Sequence, residues 1–288
     1  MPLYIVATPI GNLGDVTVRA RETLAACDAV VAEDTRRSGQ LLQHLGIRKP
    51  LLSLPAFDEA ARAAPLIERL CAGQSLALVT DAGTPGVSDP GALLVREAVR
   101  AGVSVVPIPG ACAAVAAVSA SGFSEGRFHF AGFLPRKASA RAEMLQELAP
   151  LRAQLVFYEA PGRLRETLLA LREALGDRQA LVARELTKLH EELARGALSD
   201  LADRFGGEVR GEVAVVVAGS PEPAAAPPEQ LEAEVRERLA RGERPKQIAD
   251  ALRAHGKREV YQLALRLRGE EEGAEDGGGP EDGGDGDA

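Results

Sequence analysis

Short apolar segments alternate with amphipathic helical patterns along the first 110 residues of the chain. The apolar segments lie near residues 3–8, 28–32, 51–54, 75–80 and 103–107, and the helical patterns near 17–26, 36–45, 59–72 and 91–101. Strands that alternate with helices of this length form βαβ units, in which the strands run parallel and the helices cover the sheet. The pattern therefore predicts an N-terminal α/β domain over residues 1–121.

A second set of strands and helices follows the turn at residues 119–122. Strands are predicted near 127–133, 153–158, 179–184 and 211–218, with helices near 138–149, 162–175 and 198–205. We interpret residues 122–219 as a C-terminal α/β domain, with a cleft between the two domains. Residues 220–228 resemble a proline-rich linker, and 229–268 a small helical appendage.

The net charge of −8 comes from the last twenty residues, 269–288, which hold nine acidic residues and no basic one. Without them, 34 basic residues face 33 acidic ones, so the folded part is close to neutral. This glycine-rich acidic tail is predicted to be disordered.

Cysteine usage and hydropathy indicate a cytoplasmic protein without a membrane segment. Cys27, Cys71 and Cys112 are scattered and odd in number, which fits a reducing compartment and not a disulfide framework. No apolar run reaches the about 18 residues of a membrane helix, and the chain starts without a signal-peptide pattern. The four histidines lack metal-ligand spacing, so we expect no metal.

Three loops rich in glycine and proline follow predicted strands of the N-terminal domain. They are Pro9–Asp15, Thr80–Gly91 and Ile108–Ala113. Ligands of open α/β sheets bind at the carboxyl ends of strands, where glycines let the backbone approach closely. The loops match neither the dinucleotide fingerprint nor the P-loop. Their small, mostly uncharged residues suit a flat ring or a thioether better than a triphosphate, and S-adenosylmethionine fits such a site.

Three further segments place charged residues at strand ends: Ala32–Arg37, Phe157–Arg163 and Ala183–Glu192. Each combines carboxylates with cations. A salt-linked surface turn would explain any one of them. Three such turns on the ligand side of the sheets indicate a catalytic or substrate-binding role.

Seven motifs in this order resemble the ribosomal RNA small subunit methyltransferase I family of the tetrapyrrole methylase superfamily. They are TPIGNLGD, AEDTR, TDAGTPGVSDPG, PIPGACAA, FAGFLPRK, FYEAPGRL and ARELTKLHEE, and they span roughly residues 3–218. The resemblance implies two α/β domains, with a largely parallel N-terminal sheet and a mixed C-terminal sheet, commonly in a homodimer. It also implies methyl transfer from S-adenosylmethionine to the ribose 2′-oxygen of a cytidine in the decoding region of 16S rRNA, within the small ribosomal subunit.

The resemblance also implies a set of cofactor-binding residues. They are Pro9, Ile10, Gly11, Asp81, Ala82, Gly83, Thr84, Val87, Gly110, Ala111, Cys112, Tyr158, Glu212 and Ala214.

Within the polar turns, Glu159, Glu185 and Lys188 are the candidate base or orienting groups for a ribose hydroxyl. Arg36 and Arg184 are candidate phosphate contacts. In the appendage, Lys246, Lys257 and Arg258 are candidate RNA contacts, although a packing or dimerisation role explains these helices equally well.

Two other functions remain open on the same motifs. One is methylation of a small tetrapyrrole precursor. The other is a non-catalytic module that binds RNA or the ribosome. A decayed cofactor site would carry bulky or charged residues at Gly83, Gly110 or Ala111, and the chain has none there.

Overall fold

The computed structural model describes residues 1–221, 228–252 and 255–275. The chain divides into two compact units, Met1–Ser220 and Pro221–Ala288. The predicted linker lies largely outside the described residues, as do residues 276–288 of the predicted acidic tail. The predicted boundary at residue 121 falls inside the first unit, which holds both sheets.

The first sheet is wholly parallel in the order β3-β2-β4-β1-β5. Its strands are β1 (Leu3–Val6), β2 (Ala29–Ala32), β3 (Leu51–Ser53), β4 (Leu76–Val79) and β5 (Val105–Ile108). Four helices connect them: α1 (Val18–Ala26), α2 (Thr35–His44), α3 (Glu59–Cys71) and α4 (Ala92–Arg100). Helices α1 and α2 pack on one face and α3 and α4 on the other. Because both faces are covered, the strands are almost wholly apolar; β3 ends in the exposed Ser53.

The second sheet is mixed, in the order β6-β7-β10-β8-β9, with β6 and β7 parallel and the other pairs antiparallel. Its strands are β6 (Phe128–Phe133), β7 (Gln154–Glu159), β8 (Gln179–Arg184), β9 (Glu192–Ala197) and β10 (Val213–Val217). Helices α6 (Ala138–Leu148), α7 (Leu164–Leu175) and α8 (Leu198–Arg204) cover one face. Helix α5 (Ala113–Ser119) covers the other. The predicted fold class is confirmed.

Strand β9 was absent from the sequence prediction. Its sequence, ELARGA, holds no β-branched or aromatic residue, so propensity does not favour a strand. It forms because residues 192–197 pair in register with the whole of β8 at the edge of the sheet.

The second unit contains three helices, α9 (Pro228–Ala240), α10 (Pro245–Ala251) and α11 (Lys257–Glu275). They pack around a small apolar cluster that includes Val235, Ile248 and Val260. Helix α11 runs through the first seven residues of the predicted disordered tail, because glutamate is a good helix former and extends a helix that packing has already nucleated. No helix of the described chain is both long and apolar enough to cross a membrane.

The carboxylate of Glu59 holds the start of α4. Its Oε1 accepts hydrogen bonds from the backbone N–H groups of Gly91, Leu93 and Leu94, at 3.0, 2.9 and 3.1 Å. A carboxylate is stabilising at a helix N-terminus, where backbone donors lack partners inside the helix. Since α4 begins where the loop after β4 ends, this contact also fixes that end of the loop.

Replacing Glu59 with Ala should lower the free energy of unfolding by about 1–3 kcal/mol, because three buried or half-buried donors lose their acceptor. Urea denaturation measures the change. Glu97→Ala is the control, since Glu97 pairs with the exposed side chains of Arg96 and Arg100 and should matter far less. Equal losses in the two variants would contradict this role of Glu59.

Candidate functional site

A cavity of about 350 Å³ lies where the loops of the first sheet meet the strand ends of the second. The walls come from three groups of residues. The loops of the first sheet and the first turn of α2 supply Ile10, Arg37, Asp81, Ala82, Gly83, Thr84, Val87, Ser88 and Asp89; the start of α5 supplies Cys112 and Ala113; the strands of the second sheet and the loops at their ends supply Phe133, Tyr158, Glu159, Ala160, Pro161, Ala183, Leu186, Gly211, Glu212, Val213 and Ala214. This size and its mostly apolar lining are typical of a small-molecule site.

The strand order brings the three predicted loops together, because β1 lies between β4 and β5. Thr8 and Gly83 exchange backbone hydrogen bonds of 2.8 and 3.0 Å, which ties the loop after β1 to the loop after β4. The Thr84 hydroxyl donates to the Ala111 carbonyl at 3.1 Å and so ties in the third loop. The three loops therefore form one wall.

Ten of the fourteen predicted cofactor residues line this cavity: Ile10, Asp81, Ala82, Gly83, Thr84, Val87, Cys112, Tyr158, Glu212 and Ala214. The other four do not line it. Ala111 supports Thr84, and Pro9 borders a smaller neighbouring cavity. A Cβ at Gly110 would lie 2.9 Å from the Cβ of Ala7, so this glycine permits the close approach of two loops. A Cβ at Gly11 would overlap the Lys188 side chain, so this glycine permits the close approach of Lys188.

One end of the cavity is acidic. Burial raises the pKa of the Asp89 carboxyl, and the charge of Asp81 adds to the effect. Burial likewise raises the pKa of Glu33, which lies near both aspartates. Asp81 pairs with Arg37 at 3.3 Å. Carboxylates held in a low-dielectric site favour a cationic ligand, which would relieve their mutual repulsion.

Tyr158 contributes an uncharged phenol to the opposite wall. Burial raises its pKa to about 12, and its hydroxyl accepts a hydrogen bond from the backbone N–H of Ala114 at 3.1 Å. Tyr158 therefore stays protonated near neutral pH and joins the second sheet to the start of α5.

Glu185, Lys188 and Glu212 form a charged network at the edge of the cavity. The Lys188 ammonium lies 2.7 Å from Glu185 Oε1 and 3.0 Å from Glu212 Oε2. The hydrogen bond from Lys188 lowers the pKa of Glu185. Burial alone would lower the pKa of Lys188, but its hydrogen bonds to the two carboxylates outweigh burial and raise it. Both groups are therefore ionised at neutral pH, and Lys188 is a cation there and not a base.

The turn that carries this network has a strained backbone. Glu185 and Thr187 have φ values of 53° and 67°, a region that non-glycine residues rarely adopt and that is least favourable for β-branched threonine. Gly211, with φ of 88°, leaves the space that the Glu185 carboxylate occupies, since a Cβ there would lie 2.4 Å from Glu185 Oε1. Strain of this kind concentrates at functional sites.

Glu159 is buried, and both of its carboxylate oxygens have protein donors. Oε1 accepts from the backbone N–H of Ala160 at 2.8 Å and lies 3.4 Å from Arg163 Nη1. Oε2 accepts from the Thr167 hydroxyl at 2.5 Å. These contacts join the end of β7 to α7, and they favour a structural role for Glu159 over the predicted catalytic one.

The predicted RNA contacts are spread over both units. Arg36 is exposed and pairs with Asp34 at 3.1 Å, whereas the adjacent Arg37 reaches the cavity wall. Arg184 pairs with Glu192 at 2.9 Å and does not line the cavity.

In the second unit, Lys246 and Arg258 are exposed, and Lys257 is paired with Asp250. These three side chains lie on α10 and α11.

Sequence reasoning missed several wall residues, including Arg37, Ser88 and Phe133. All three lie within or next to the motifs that carried the resemblance, so these motifs identified the right segments but not these residues. Which residue of a segment faces the cavity depends on helix and strand geometry. Across the described ranges, no group of three His, Cys, Asp or Glu side chains is placed to hold a metal ion.

The sequence is similar to a known protein family and to named proteins of two bacteria. Residues 2–202 match the family model of the Tetrapyrrole (Corrin/Porphyrin) Methylases. A Synechocystis sp. protein named ribosomal RNA small subunit methyltransferase I is 46% identical over 272 residues, 92% of this chain and 98% of its own. A Mesorhizobium japonicum protein of the same name is 44% identical over 281 residues, 96% and 95% of the two chains.

A solved structure supports the likeness at the level of the fold. Uroporphyrin-III C-methyl transferase from Thermus thermophilus, complexed with S-adenyl homocysteine, matches with a TM-score of 0.56 at 18% identity. The match covers 76% of this chain and 97% of that one.

Gly211→Ala should displace the Glu185 carboxylate and destabilise the protein by at least about 1–2 kcal/mol, because a Cβ is disfavoured at this φ and would overlap the carboxylate. Urea denaturation measures the loss. Gly176→Ala is the matched control, since Gly176 also has a positive φ, 82°, but a Cβ there meets no atom within 4 Å. If the two variants are equally stable, Gly211 does not make room for the network.

Proposed function

The chain belongs to the tetrapyrrole methylase family and is a methyltransferase, and from this premise we propose that it methylates the ribose 2′-oxygen of a cytidine in 16S rRNA, with S-adenosylmethionine as methyl donor. The likeness to curated relatives along nearly the whole chain carries the proposal, because both relatives are named for the RNA of the small ribosomal subunit. Since that subunit assembles in the bacterial cytoplasm, the reaction is placed there.

The cavity fits this donor in size and in chemistry. S-adenosylmethionine supplies a methyl group activated on a positively charged sulfur. The small residues Ala82, Gly83 and Ala214 leave room for a flat apolar ring, and Asp81 and Asp89 bring negative charge to a cationic ligand. Arg37 reaches the wall, but it is paired with Asp81, and the carboxylates at this end of the cavity disfavour a triphosphate.

The ionised network provides what a ribose hydroxyl needs from the protein. A hydroxyl is a weak nucleophile, so its oxygen must be aligned with the methyl carbon and its proton must leave. Glu185 is ionised and can accept a hydrogen bond from the hydroxyl, while Lys188 offers a cation to a neighbouring phosphate. We assign these two residues to orienting the nucleotide and Glu212 to holding Lys188 in place.

The remaining partners follow from the same premise. Arg36 and Arg184 would hold phosphates beyond the cavity, and the exposed cations Lys246, Lys257 and Arg258 would extend RNA binding to the second unit. A homodimer is the proposed assembly. Methylation of a tetrapyrrole precursor is the competing reaction on this fold.

The direct test is to incubate the protein with labelled S-adenosylmethionine and small ribosomal subunits that lack the modification. We expect one labelled nucleotide, a cytidine whose 2′-oxygen carries the methyl group, identified by mass spectrometry of RNA digests. Label in a base, or transfer to a tetrapyrrole precursor and not to RNA, would refute the proposal.

Ala82→Leu should abolish S-adenosylmethionine binding measured by calorimetry in chelator-treated buffer, because the larger side chain projects into the cavity and takes space that the cofactor needs. This position is a cleaner probe than Gly83, whose φ of 89° would strain any substitution. Ala60→Leu, on the exposed side of α3, is the control and should bind normally. Native affinity in Ala82→Leu would mean that the cofactor binds elsewhere.

Glu185→Gln should lower the single-turnover rate of methyl transfer by at least about tenfold while cofactor affinity is retained, because the amide lacks the negative charge that orients the hydroxyl. Lys188→Ala should act in the same direction. Glu208→Gln is the control, since Glu208 is exposed and pairs with Arg210. If Glu185→Gln loses some stability but keeps the native rate, the residue only pairs with Lys188.

A further inference from the structure

We propose that the segment Phe133–Lys137, here called the rim segment, positions the RNA substrate: the Phe133 ring stacks on a nucleobase, and Arg136 and Lys137 bind flanking phosphates. The inference rests on the proposed function and adds to it a specific RNA contact surface. The segment belongs to the motif FAGFLPRK, of which the cofactor and network assignments use no residue.

A β-bulge brings Phe133 to the mouth of the cavity. Phe130 stands opposite Val156 of β7, and in a regular strand Gly132 would be the next residue on the same face. The register shifts between Phe130 and Gly132, so Phe133 comes to lie opposite Tyr158 instead. Bulges re-aim side chains in this way and are frequent beside active sites.

The bulge lies close to the loop after β4. Gly132 has a φ of 68°, which glycine adopts without strain, and a Cβ there would lie 3.3 Å from the Ser88 hydroxyl. The direction of Phe133 is therefore set by the backbone and by a neighbouring loop of the cavity.

The Phe133 ring packs against Tyr158 but is still about half exposed to solvent. It contacts Tyr158 edge-on, with ring centroids 5.8 Å apart, and lines the cavity. Its exposed fraction is nevertheless 54%, which is high for a large apolar side chain at a cavity mouth. A rigid aromatic ring with a free face beside a ligand site is the surface on which proteins stack unpaired bases.

The rest of the segment combines one buried residue with two exposed cations. Leu134 is buried, and its carbonyl accepts a hydrogen bond from Arg163 at 3.4 Å. Arg136 and Lys137 are exposed, and within the described residues neither forms an ion pair. Two exposed cations without an ion-pair partner in the described part of the chain, beside an exposed ring, match the alternation of phosphate and base along a single RNA strand.

The test compares Phe133→Ala, Phe133→Leu and Phe133→Trp in single-turnover methylation of small ribosomal subunits at saturating S-adenosylmethionine. We expect Phe133→Ala and Phe133→Leu to raise the RNA concentration at half-maximal rate by about tenfold or more, since stacking on one base is lost. Phe133→Trp should keep the native RNA concentration at half-maximal rate, because stacking needs an aromatic face and not only apolar volume. Cofactor affinity is measured in parallel by calorimetry, because Phe133 also lines the cavity, and the loss of RNA affinity should persist at saturating S-adenosylmethionine.

Phe128→Ala is the matched control, because Phe128 lies on the same strand with a similar exposed fraction of 46% but does not line the cavity. For the cations, Arg136→Ala and Lys137→Ala should each reduce the slope of log affinity against log salt by about 0.7, the value for one phosphate of a single strand. Arg69→Ala, an exposed cation on α3, should leave the slope unchanged.

The outcomes separate this inference from the proposed function. If the native protein methylates RNA but the Phe133 variants match it, with unchanged salt slopes for the two cation variants, the rim segment does not bind RNA. If Phe133→Leu needs no more RNA for half-maximal rate than Phe133→Trp does, stacking is refuted. If the native protein transfers no methyl group to RNA, the proposed function itself fails.

Discussion

The position of β1 between β4 and β5 is the constraint on which the site depends. The loops that follow neighbouring parallel strands lie at the carboxyl edge of the sheet. Three loops that are distant in sequence therefore meet at one place. The paired backbones of Thr8 and Gly83 then fix two of them at hydrogen-bond distance. The residues of the second sheet that complete the cavity face the loops at this edge.

The charged turn around Glu185 uses a different kind of support. Its backbone is held in conformations that cost on the order of 1–3 kcal/mol per residue, so the surrounding structure must compensate. Two glycines provide the room: Gly211 accommodates the Glu185 carboxylate, and Gly11 accommodates the Lys188 chain. One glycine comes from each half of the first unit, so the network has its present geometry only when both halves are folded.

Much of the fold could be predicted from the sequence because its signals are local and repeated. The buried strands Leu76–Val79 and Ala29–Ala32 are wholly apolar; a glycine-rich loop follows the first, and a charged turn follows the second. Strand β9 could not be found this way, since its pairing with β8 and not its composition makes it a strand. At the site, the right segments were identified more often than the right residues. Arg36 and Arg37 differ by about 100° around a helix, and the position of Phe133 depends on a bulge, so neither follows from a motif.

Helix α5 changes how the two α/β halves should be regarded. It begins at the third loop of the first sheet, yet its buried residues Ala114 and Ala117 pack against the second sheet. A chain ended near residue 121 would keep this helix without the surface that covers it, and the second sheet alone would expose the face that carries Val156 and Val216. The halves thus share one core element, and we expect loss of order in one sheet to be transmitted to the other.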